Sequence, residues 1–222
     1  MRDVAREHWE RHASYRDAGA ASARAFADPK AARIAAVLGL GGHEPILDVG
    51  AGTGHLTEAF RRRGHPVTAL DASPAMLGRN PGPRRVLGDA ARLPFRPRAF
   101  AVAVESNLLH HVEDPVLVLR EMSRVASAAI ATIEPNRNHP PMFLFSLLVR
   151  AEWPALRFTT SHLRELAARA GLSPLLLECS GWVYQNKTPR PVAGLLGKYN
   201  RPCAVAAYAT GVFGREATEV SR

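Results

Sequence analysis

One short stretch of this sequence, a strand-like run that leads into three alternating glycines, constrains the fold more than any other feature. Residues 46–49 (ILDV) have the composition of a buried strand, residues 50–54 (GAGTG) follow directly, and helical character begins at Leu56. Glycine permits the positive φ angles of such a turn and lets a ligand approach the backbone where a Cβ would clash. A strand, a glycine-rich turn and a helix in this order are typical of α/β folds that bind nucleotides.

Strands and helices alternate along the middle of the chain. The segments with strand character are residues 45–49, 67–70, 85–87, 100–104 and 128–133. Helical stretches lie at residues 56–63, after Ser73 and from Asp114 to Val125. Both Ser73 and Asp114 are followed by proline, which is a typical helix start. This alternation predicts a parallel sheet with helices on both faces.

The two ends of the chain depart from this alternation. Residues 3–38 are rich in alanine and arginine and predict one or two helices. Near the other end, a helix is predicted at residues 161–170, followed by strands at 174–179 and 204–212. The connection between these strands is rich in proline and glycine and predicts no helix. We therefore expect the two strands to form an antiparallel pair at one edge of the sheet.

The net charge of +9 raises the question of a nucleic-acid partner. Residues 135–222 carry 11 basic and 5 acidic residues, so this third of the chain supplies +6 of the charge. Only 3 of the 29 basic residues are lysine, and an excess of arginine beside abundant alanine and glycine is typical of a GC-rich genome. We interpret the charge as a solvated basic face. A nucleic-acid partner is the less favoured alternative.

Cysteine usage and apolar runs bear on the compartment. Cys179 and Cys203 are the only cysteines, and they match no metal or redox spacing. The start of the sequence has no apolar leader, so we expect a protein of the reducing cytoplasm. The longest apolar run, from Met142 to Val149, is shorter than the roughly 20 residues that a membrane-spanning helix needs. We therefore predict no transmembrane segment.

The spacing of the glycines separates two kinds of nucleotide ligand. Dinucleotide sites use G-x-G-x-x-G, with the helix N-terminus directed at a pyrophosphate. Here the pattern is G-x-G-x-G, and Asp48 stands just before it. A carboxylate at this place would repel a pyrophosphate, but it suits a ligand that carries an ammonium and a sulfonium group.

The segment from Asp48 to Gly54 resembles the first motif of the class I S-adenosylmethionine-dependent methyltransferase family. Three further stretches match this family in the right order, at residues 67–71 (VTALD), 88–95 (GDAARLPF) and 100–112 (FAVAVESNLLHHV). The resemblance covers roughly residues 45–135. It is weaker before the fifth strand, where residues 123–127 replace the usual Pro-Gly-Gly turn, away from the cofactor.

The resemblance implies a fold and a cofactor site. The fold is a Rossmann-like, doubly wound α/β sheet, with seven mostly parallel strands, an antiparallel C-terminal edge pair and helices on both faces. Asp71 would bind both ribose hydroxyls of S-adenosylmethionine, although it could instead begin the next helix, a role that suits Ser73 better. Asp89 would accept a hydrogen bond from the adenine amine. The full set of implied cofactor-binding residues is Asp48, Gly50, Ala51, Gly52, Gly54, Asp71, Ala72, Met76, Asp89, Ala90, Glu105 and Ser106.

We expect one methyltransferase domain over residues 1–222, because this length fits a single core. An N-terminal helical cap would occupy residues 1–44 and the cofactor-binding core residues 45–135. Residues 136–222 would hold the acceptor side and the C-terminal strands. The sequence leaves open whether the chain forms a homodimer.

Adjacent histidines follow the fourth strand. A histidine titrates near neutral pH and can remove the proton of a methyl acceptor, and we assign this role to His111 rather than His110. The alternative is that both histidines only pack or cap the turn. Residues 134–138 (EPNRN) lie after the fifth strand, where α/β folds bind ligands, and are expected to contact the acceptor. Glu134 and Asn138 alone make a poor magnesium site, so we predict no metal.

The acceptor is expected to be a small and partly apolar molecule. The apolar stretch after Pro140 predicts a helix that either forms a lid over the acceptor or packs in the core. One alternative is an RNA or protein methyltransferase that uses the basic C-terminal third. The other is a non-catalytic protein that only binds S-adenosylmethionine.

Overall fold

The computed structural model describes residues 17–184, 188–197 and 200–215. Its strands are β1 (Ile46–Val49), β2 (Val67–Asp71), β3 (Arg84–Leu87), β4 (Phe100–Ser106), β5 (Ala126–Pro135), β6 (Leu172–Ser180) and β7 (Tyr208–Arg215). Its helices are α1 (Ala21–Leu38), α2 (His55–Arg62), α3 (Pro74–Gly78), α4 (Pro115–Val125), α5 (Pro140–Leu148), α6 (Thr160–Arg169) and α7 (Arg190–Leu196). Two 3-10 segments lie at Leu109–His111 and Arg150–Arg157. The predicted N-terminal helical segment is described only from residue 17 onward, and its earlier residues lie outside the described part.

All seven strands form one sheet in the order β3-β2-β1-β4-β5-β7-β6. The five strands from β3 to β5 pair in parallel, whereas β7 runs antiparallel to both β5 and β6. The predicted mostly parallel sheet with an antiparallel pair at its C-terminal edge is therefore confirmed. In the described residues, no helix has the length and apolar character needed to cross a bilayer.

Helices cover both faces of the sheet, as predicted. Successive residues of a strand point to opposite faces, and in β1 they enter two different cores. Ile46 packs in one cluster with Phe26 of α1 and Phe60 of α2. Leu47 packs in the other cluster with Leu119 of α4. Because β1 is buried on both sides, the end of this strand is held rigidly at the centre of the molecule.

Side-chain caps fix the starts of the two helices that follow the site. The Ser73 hydroxyl accepts a hydrogen bond from the Met76 amide at the start of α3. The Asp114 carboxylate accepts bonds from the amides of Val116 and Leu117 at the start of α4. Such a cap stabilises a helix by about 1 kcal/mol. The helix starts predicted from Ser-Pro and Asp-Pro are thus confirmed, and the cap of α3 is Ser73 rather than Asp71.

The prediction that no helix joins the last two strands was wrong, because α7 lies between β6 and β7. Proline at its first turn suits a helix N-terminus, where no intrahelical amide bond is needed. Ala193 is fully buried in the same core as α1, and a Cβ on Gly197 would lie 3.2 Å from that of Ala25. Packing against α1 therefore stabilises a seven-residue helix that local sequence does not predict.

Helix α4 passes into β5 with no intervening turn. The last carbonyls of a helix lack intrahelical partners. Here Arg215, at the end of β7, donates to the carbonyls of Ser123 and Ala126 at 2.7 and 3.0 Å. The final strand of the sheet thus completes the C-terminus of a helix in the middle of the chain.

Strand β7 begins at Tyr208, four residues later than predicted. Residues 203–206 form a turn instead, in which the Ala206 amide donates to the Cys203 carbonyl. The buried side-chain amide of Asn136 donates to the carbonyls of Ala204 and Ala206. Asn136 is therefore a structural residue that holds this turn, not an acceptor contact.

Candidate active site

A cavity opens at the carboxyl ends of β1, β2 and β4, where the strand order reverses around β1. Sheets of this type bind ligands at such a point. The cavity contains about 1030 Å³ of empty space, part of it open to solvent. Eleven of the residues predicted from the sequence line it, namely Asp48, Gly50, Ala51, Gly52, Asp71, Ala72, Met76, Asp89, Ala90, Ser106 and His111.

Two predicted cofactor-binding residues do not line this cavity. Gly54 begins α2 with φ +88°, and a Cβ there would lie 2.7 Å from Pro81 and 2.8 Å from Asn80. Gly54 thus serves backbone conformation and close packing. The Glu105 side chain is fully buried and accepts hydrogen bonds from the amides of Leu108 and Ile133. Its carboxyl group supports the turn behind the cavity.

The Asp71 carboxylate organises the glycine-rich turn. One of its oxygens accepts a hydrogen bond from the Gly52 amide at 2.7 Å, and the other accepts from the Ser73 amide at 2.8 Å. Burial raises the pKa of Asp71 although these backbone bonds oppose the rise. Each carboxylate oxygen keeps further lone pairs for a ligand. Asp71 therefore fixes the turn and can also bind hydroxyl groups in the cavity.

Asp48 lies deeper, at the end of β1. It is almost fully buried and accepts a 2.5 Å hydrogen bond from the Thr57 hydroxyl. Burial raises the pKa of Asp48 to about 7, even though the hydrogen bonds of Thr57 lower it. Asp48 is thus poised to ionise when a positive charge enters the cavity.

A buried ionic network lies behind the turn after β4. Nδ1 of His110 contacts one Glu134 oxygen, and the other oxygen accepts a 2.7 Å bond from the Leu109 amide. Nε2 of His110 lies 3.4 Å from a Glu152 oxygen. Burial alone would lower the pKa of His110, but the attraction and hydrogen bonds of the two carboxylates outweigh it and raise this pKa to about 10. His110 is therefore a buried imidazolium.

Glu134 belongs to this network and does not face the acceptor side. It is fully buried and also interacts with Glu105, whose pKa is raised well above its usual value by burial and by the Glu134 charge. The prediction that Glu134 contacts the acceptor is therefore wrong. Its side chain lies under the turn because β5 pairs with β4, with Ser106 beside Ile133.

The two histidines take different positions. His111 lines the cavity, and His110 is not among the lining residues. Their rings lie close together, with centroids 3.8 Å apart. His110 thus lies between the carboxylate pair and His111, and it can fix the position of the His111 ring.

Comparison with known proteins shows what the segment that forms this site is similar to. Residues 47–128 match the family model described as a methyltransferase domain. The demethylmenaquinone methyltransferase of Mycolicibacterium paratuberculosis is 40% identical over 123 residues, which are 54% of this chain and 53% of the relative. A ribosomal RNA small subunit methyltransferase A of Myxococcus xanthus is 37% identical over 110 residues, which are 46% of this chain and 38% of the relative. The chain thus spans about half the length, or less, of these curated relatives.

The part of the chain that forms the cavity thus resembles a methyltransferase domain. Among solved structures, an S-adenosylmethionine-dependent methyltransferase of Thermotoga maritima aligns with a TM-score of 0.65 and 16% identity, over 95% of this chain and 94% of the other. At this identity the likeness shows the shared fold alone.

The cavity has the features that S-adenosylmethionine, the cofactor of this kind of domain, would need. Its lining, taken over the described residues, includes three aspartates and no lysine or arginine, which favours a cationic ligand over a pyrophosphate. A Cβ added to Gly52 would meet nothing closer than the Met76 methyl group at 4.0 Å. The turn therefore presents bare backbone to the cavity. Carboxylates that can accept hydrogen bonds from a ligand, one of them central, and room at the backbone are all present.

Sequence reasoning missed several lining residues of the cavity. Asn107 has a left-handed backbone with φ +56°, which asparagine tolerates better than most residues. An asparagine directly after a strand was the available signal for such a turn. The other missed residues are sequence neighbours of predicted ones, namely Thr53, His55, Leu56, Leu70, Ser73, Gly88, Leu108 and Val112.

Ligand atoms of His110, His111 and Glu152 lie within 4.8 Å of one another, as in some metal centres. However, each ring nitrogen of His110 already contacts a carboxylate, and a metal would need the deprotonated ring. We interpret His110 and Glu152 as members of the ionic network, with the His111 ring packed beside His110, rather than as a metal site.

Proposed function

We propose that this chain is an S-adenosylmethionine-dependent methyltransferase that acts on a small, partly apolar molecule. The observation that carries the proposal is the acidic cavity at the centre of the sheet. It has three aspartates, a bare glycine backbone and, in the wall after β4, His111. Residues 1–222 would act as one domain, because all seven strands join a single sheet.

Asp48, Asp71 and Asp89 would hold the cofactor. Asp71 would accept hydrogen bonds from its ribose hydroxyls, and Asp89 from its adenine amine. Asp48 would complement its positive charge from below the glycine-rich turn. When bound, S-adenosylmethionine supplies a methyl group activated by the sulfonium.

The chain itself has to align the acceptor, exclude water and receive a proton. Ser106, Asn107 and His111 line the wall after β4, where the acceptor would lie. His111 would take the proton that the acceptor loses as its new bond to carbon forms. His110 would keep the His111 ring in place, since Glu134 and Glu152 fix both of its nitrogens.

Replacing His111 with alanine should lower kcat about 100-fold, because a positioned general base contributes at least this much. The dissociation constant of S-adenosylhomocysteine should change far less, because the aspartates remain. Steady-state kinetics and calorimetry measure the two quantities. The control is His43→Ala, in which the lost side chain is exposed and precedes β1, at the opposite end of this strand from the cavity. Unchanged turnover in His111→Ala would leave only the packing role.

The affinity for S-adenosylmethionine should depend on pH through Asp48. Its pKa of about 7 means that the carboxylate is mostly ionised at pH 8 and mostly protonated at pH 6. A cationic ligand prefers the ionised form, so the affinity should be about tenfold weaker at pH 6 than at pH 8. The stability of the ligand-free protein should depend on pH in the opposite direction. The raised pKa makes Asp48 favour the folded state at low pH, and this contribution is lost as the pH rises toward 7.

Calorimetry at the two pH values measures this effect on binding. Asp48→Asn keeps the size of the side chain and removes its titration. We expect the variant to bind more weakly and with little change between pH 6 and 8. An equal pH dependence in the variant would assign the effect to another group.

The class of acceptor can be tested with labelled S-adenosylmethionine. Cell extracts are divided into organic-soluble, aqueous small-molecule, RNA and protein fractions, and the labelled product is analysed by mass. A label in a small apolar product supports the proposal. A label in RNA would favour the second candidate, which rests on the match to a ribosomal RNA methyltransferase and on the basic C-terminal third. Binding without transfer to any fraction would indicate a non-catalytic protein.

We also propose a cytoplasmic location. Both cysteines have free thiols, with Cys179 buried and Cys203 exposed. An exposed free thiol suits a reducing compartment. A homodimer remains a prediction, which sedimentation of the purified protein would test.

A further inference from the structure

Helix α5 carries its apolar side chains on the outside. Most surface helices turn their apolar face to the core and their polar face to water. In α5 the one side chain with a polar group, Ser146, is buried beside Met142. Four apolar side chains are 43–74% exposed, namely those of Phe143, Leu144, Leu147 and Leu148. The helix is therefore reversed with respect to water, with its apolar side chains exposed and its one polar side chain buried.

Trp153 extends this surface. Its side chain is 52% exposed, and its indole N–H donates to the Leu147 carbonyl at 3.1 Å. The indole is thus fixed beside the end of α5 with its polar atom satisfied. We call the five exposed side chains at positions 143, 144, 147, 148 and 153 the apolar patch. A contiguous exposed patch of this kind marks a binding surface rather than an ordinary scatter of apolar residues.

Positive charge accompanies the apolar patch. In residues 137–157 the exposed charged side chains are Arg137, Arg150 and Arg157, and the one acid, Glu152, is buried. The Arg150 guanidinium lies 5.8 Å from the centre of the Trp153 ring. Leucine and phenylalanine with tryptophan and arginine nearby is the composition of segments that bind at the surface of an anionic bilayer.

We propose that the apolar patch docks the protein on the surface of a lipid bilayer that contains anionic lipid. The leucine and phenylalanine side chains would enter the boundary between headgroups and acyl chains. Trp153 would lie at the level of the headgroups, and Arg150 and Arg157 would contact lipid phosphates. This inference concerns a surface outside the cavity and does not depend on which acceptor is methylated.

The same features argue against a second copy of the chain as the partner that covers the apolar patch. A twofold dimer would place the patch of one protomer against the identical patch of the other. The arginines would then face one another with no exposed acid from residues 137–157 to pair with. An anionic bilayer satisfies both the apolar and the basic parts of the surface.

The apolar patch is also connected to the candidate active site. The 3-10 segment that carries Trp153 also carries Glu152, which contacts His110 inside the protein. His110 in turn packs against His111 in the cavity wall. The apolar patch and the wall of the cavity are therefore joined through Glu152 and His110.

Co-sedimentation with lipid vesicles tests the proposal on the full chain. Vesicles of equimolar phosphatidylcholine and phosphatidylglycerol should bind the protein, and pure phosphatidylcholine should bind it less. The double variant Leu144→Glu with Leu148→Glu should weaken binding about tenfold or more. It places two carboxylates on the face of α5 that would enter the bilayer. The matched control is Leu175→Glu on β6, where an equally exposed leucine (56%) lies outside the patch. Higher salt should weaken binding of the wild type, as should Arg150→Gln with Arg157→Gln.

Tryptophan fluorescence gives a second measurement. Brominated lipid should quench the protein in bound samples, and Trp153→Phe should remove most of this quenching. S-adenosylhomocysteine binding by each variant confirms that it is folded. Equal vesicle binding by the wild type and the double glutamate variant would overturn the proposal. It would also be overturned if, without lipid, the wild type forms a dimer that the same two substitutions abolish, because the patch would then be a subunit interface.

Discussion

Asp71→Ala is expected to weaken the binding of S-adenosylmethionine at least about 100-fold. The substitution removes the carboxylate proposed to accept two ribose hydroxyl bonds, and hydrogen bonds to a charged group contribute about 1.5–3 kcal/mol each. It also removes the anchors of the Gly52 and Ser73 amides, so the turn that bounds the cavity loosens. Calorimetric titration of the purified variant measures the loss.

Two comparisons separate ligand contact from folding. Asp28→Ala removes a half-buried aspartate that pairs with Arg62 outside the cavity, and it should leave the affinity unchanged. Asp71→Asn keeps one carbonyl oxygen for a backbone amide, and we expect it to bind more tightly than the alanine variant. The ligand-free Asp71→Ala protein should remain folded, with a cooperative thermal transition. If this protein bound the cofactor with wild-type affinity, Asp71 would not be the ribose partner.

Glu134→Ala is expected to lower the free energy of unfolding by roughly 3–5 kcal/mol, because it leaves the buried His110 without its main partner. The Leu109 amide loses its acceptor as well. For a chain of this size the melting temperature should fall by about 10 °C. Denaturant and thermal unfolding measure both quantities. The matched control is Glu165→Ala, which removes an exposed carboxylate of α6 (65%) and should cost no more than about 1 kcal/mol.

The pH dependence of the same pair gives an independent check. Because the folded-state pKa of His110 is raised to about 10, its contribution is complete below the unfolded value near 6.5 and is lost as the pH rises through 10. The difference in stability between the wild type and Glu134→Ala should therefore be largest near pH 6 and shrink toward pH 10. A difference that is the same at both pH values would mean that His110 is uncharged in the folded protein.

Local signals explain why most of the fold could be predicted. The glycine-rich turn, the Ser-Pro and Asp-Pro helix starts and the apolar strands each occupy a few consecutive residues. Their order alone favours the parallel sheet and places Asp48 and Asp71 at neighbouring strand ends. Eleven lining residues of the cavity follow from the same motifs.

The errors have a different origin, since they depend on contacts between distant residues. Its position at the end of a strand predicts that Glu134 contacts the acceptor. The pairing of β5 with β4 instead turns its side chain toward His110. Helix α7 exists because Ala193 packs against α1, more than 150 residues earlier in the chain. Which face of α5 is exposed also depends on how the helix packs against the rest of the protein, since all of its residues except Ser146 are apolar.

The position of β7 has a consequence for the growing chain. Because β7 lies between β5 and β6, strand β6 leaves the ribosome before the strand that links it to the sheet exists. Until residues 208–215 are synthesised, the hydrogen-bonding edge of β5 stays uncovered and the end of α4 lacks Arg215. An uncovered edge of this kind is prone to pair with other chains. During synthesis, the chain therefore stays prone to aggregation until β7 has emerged.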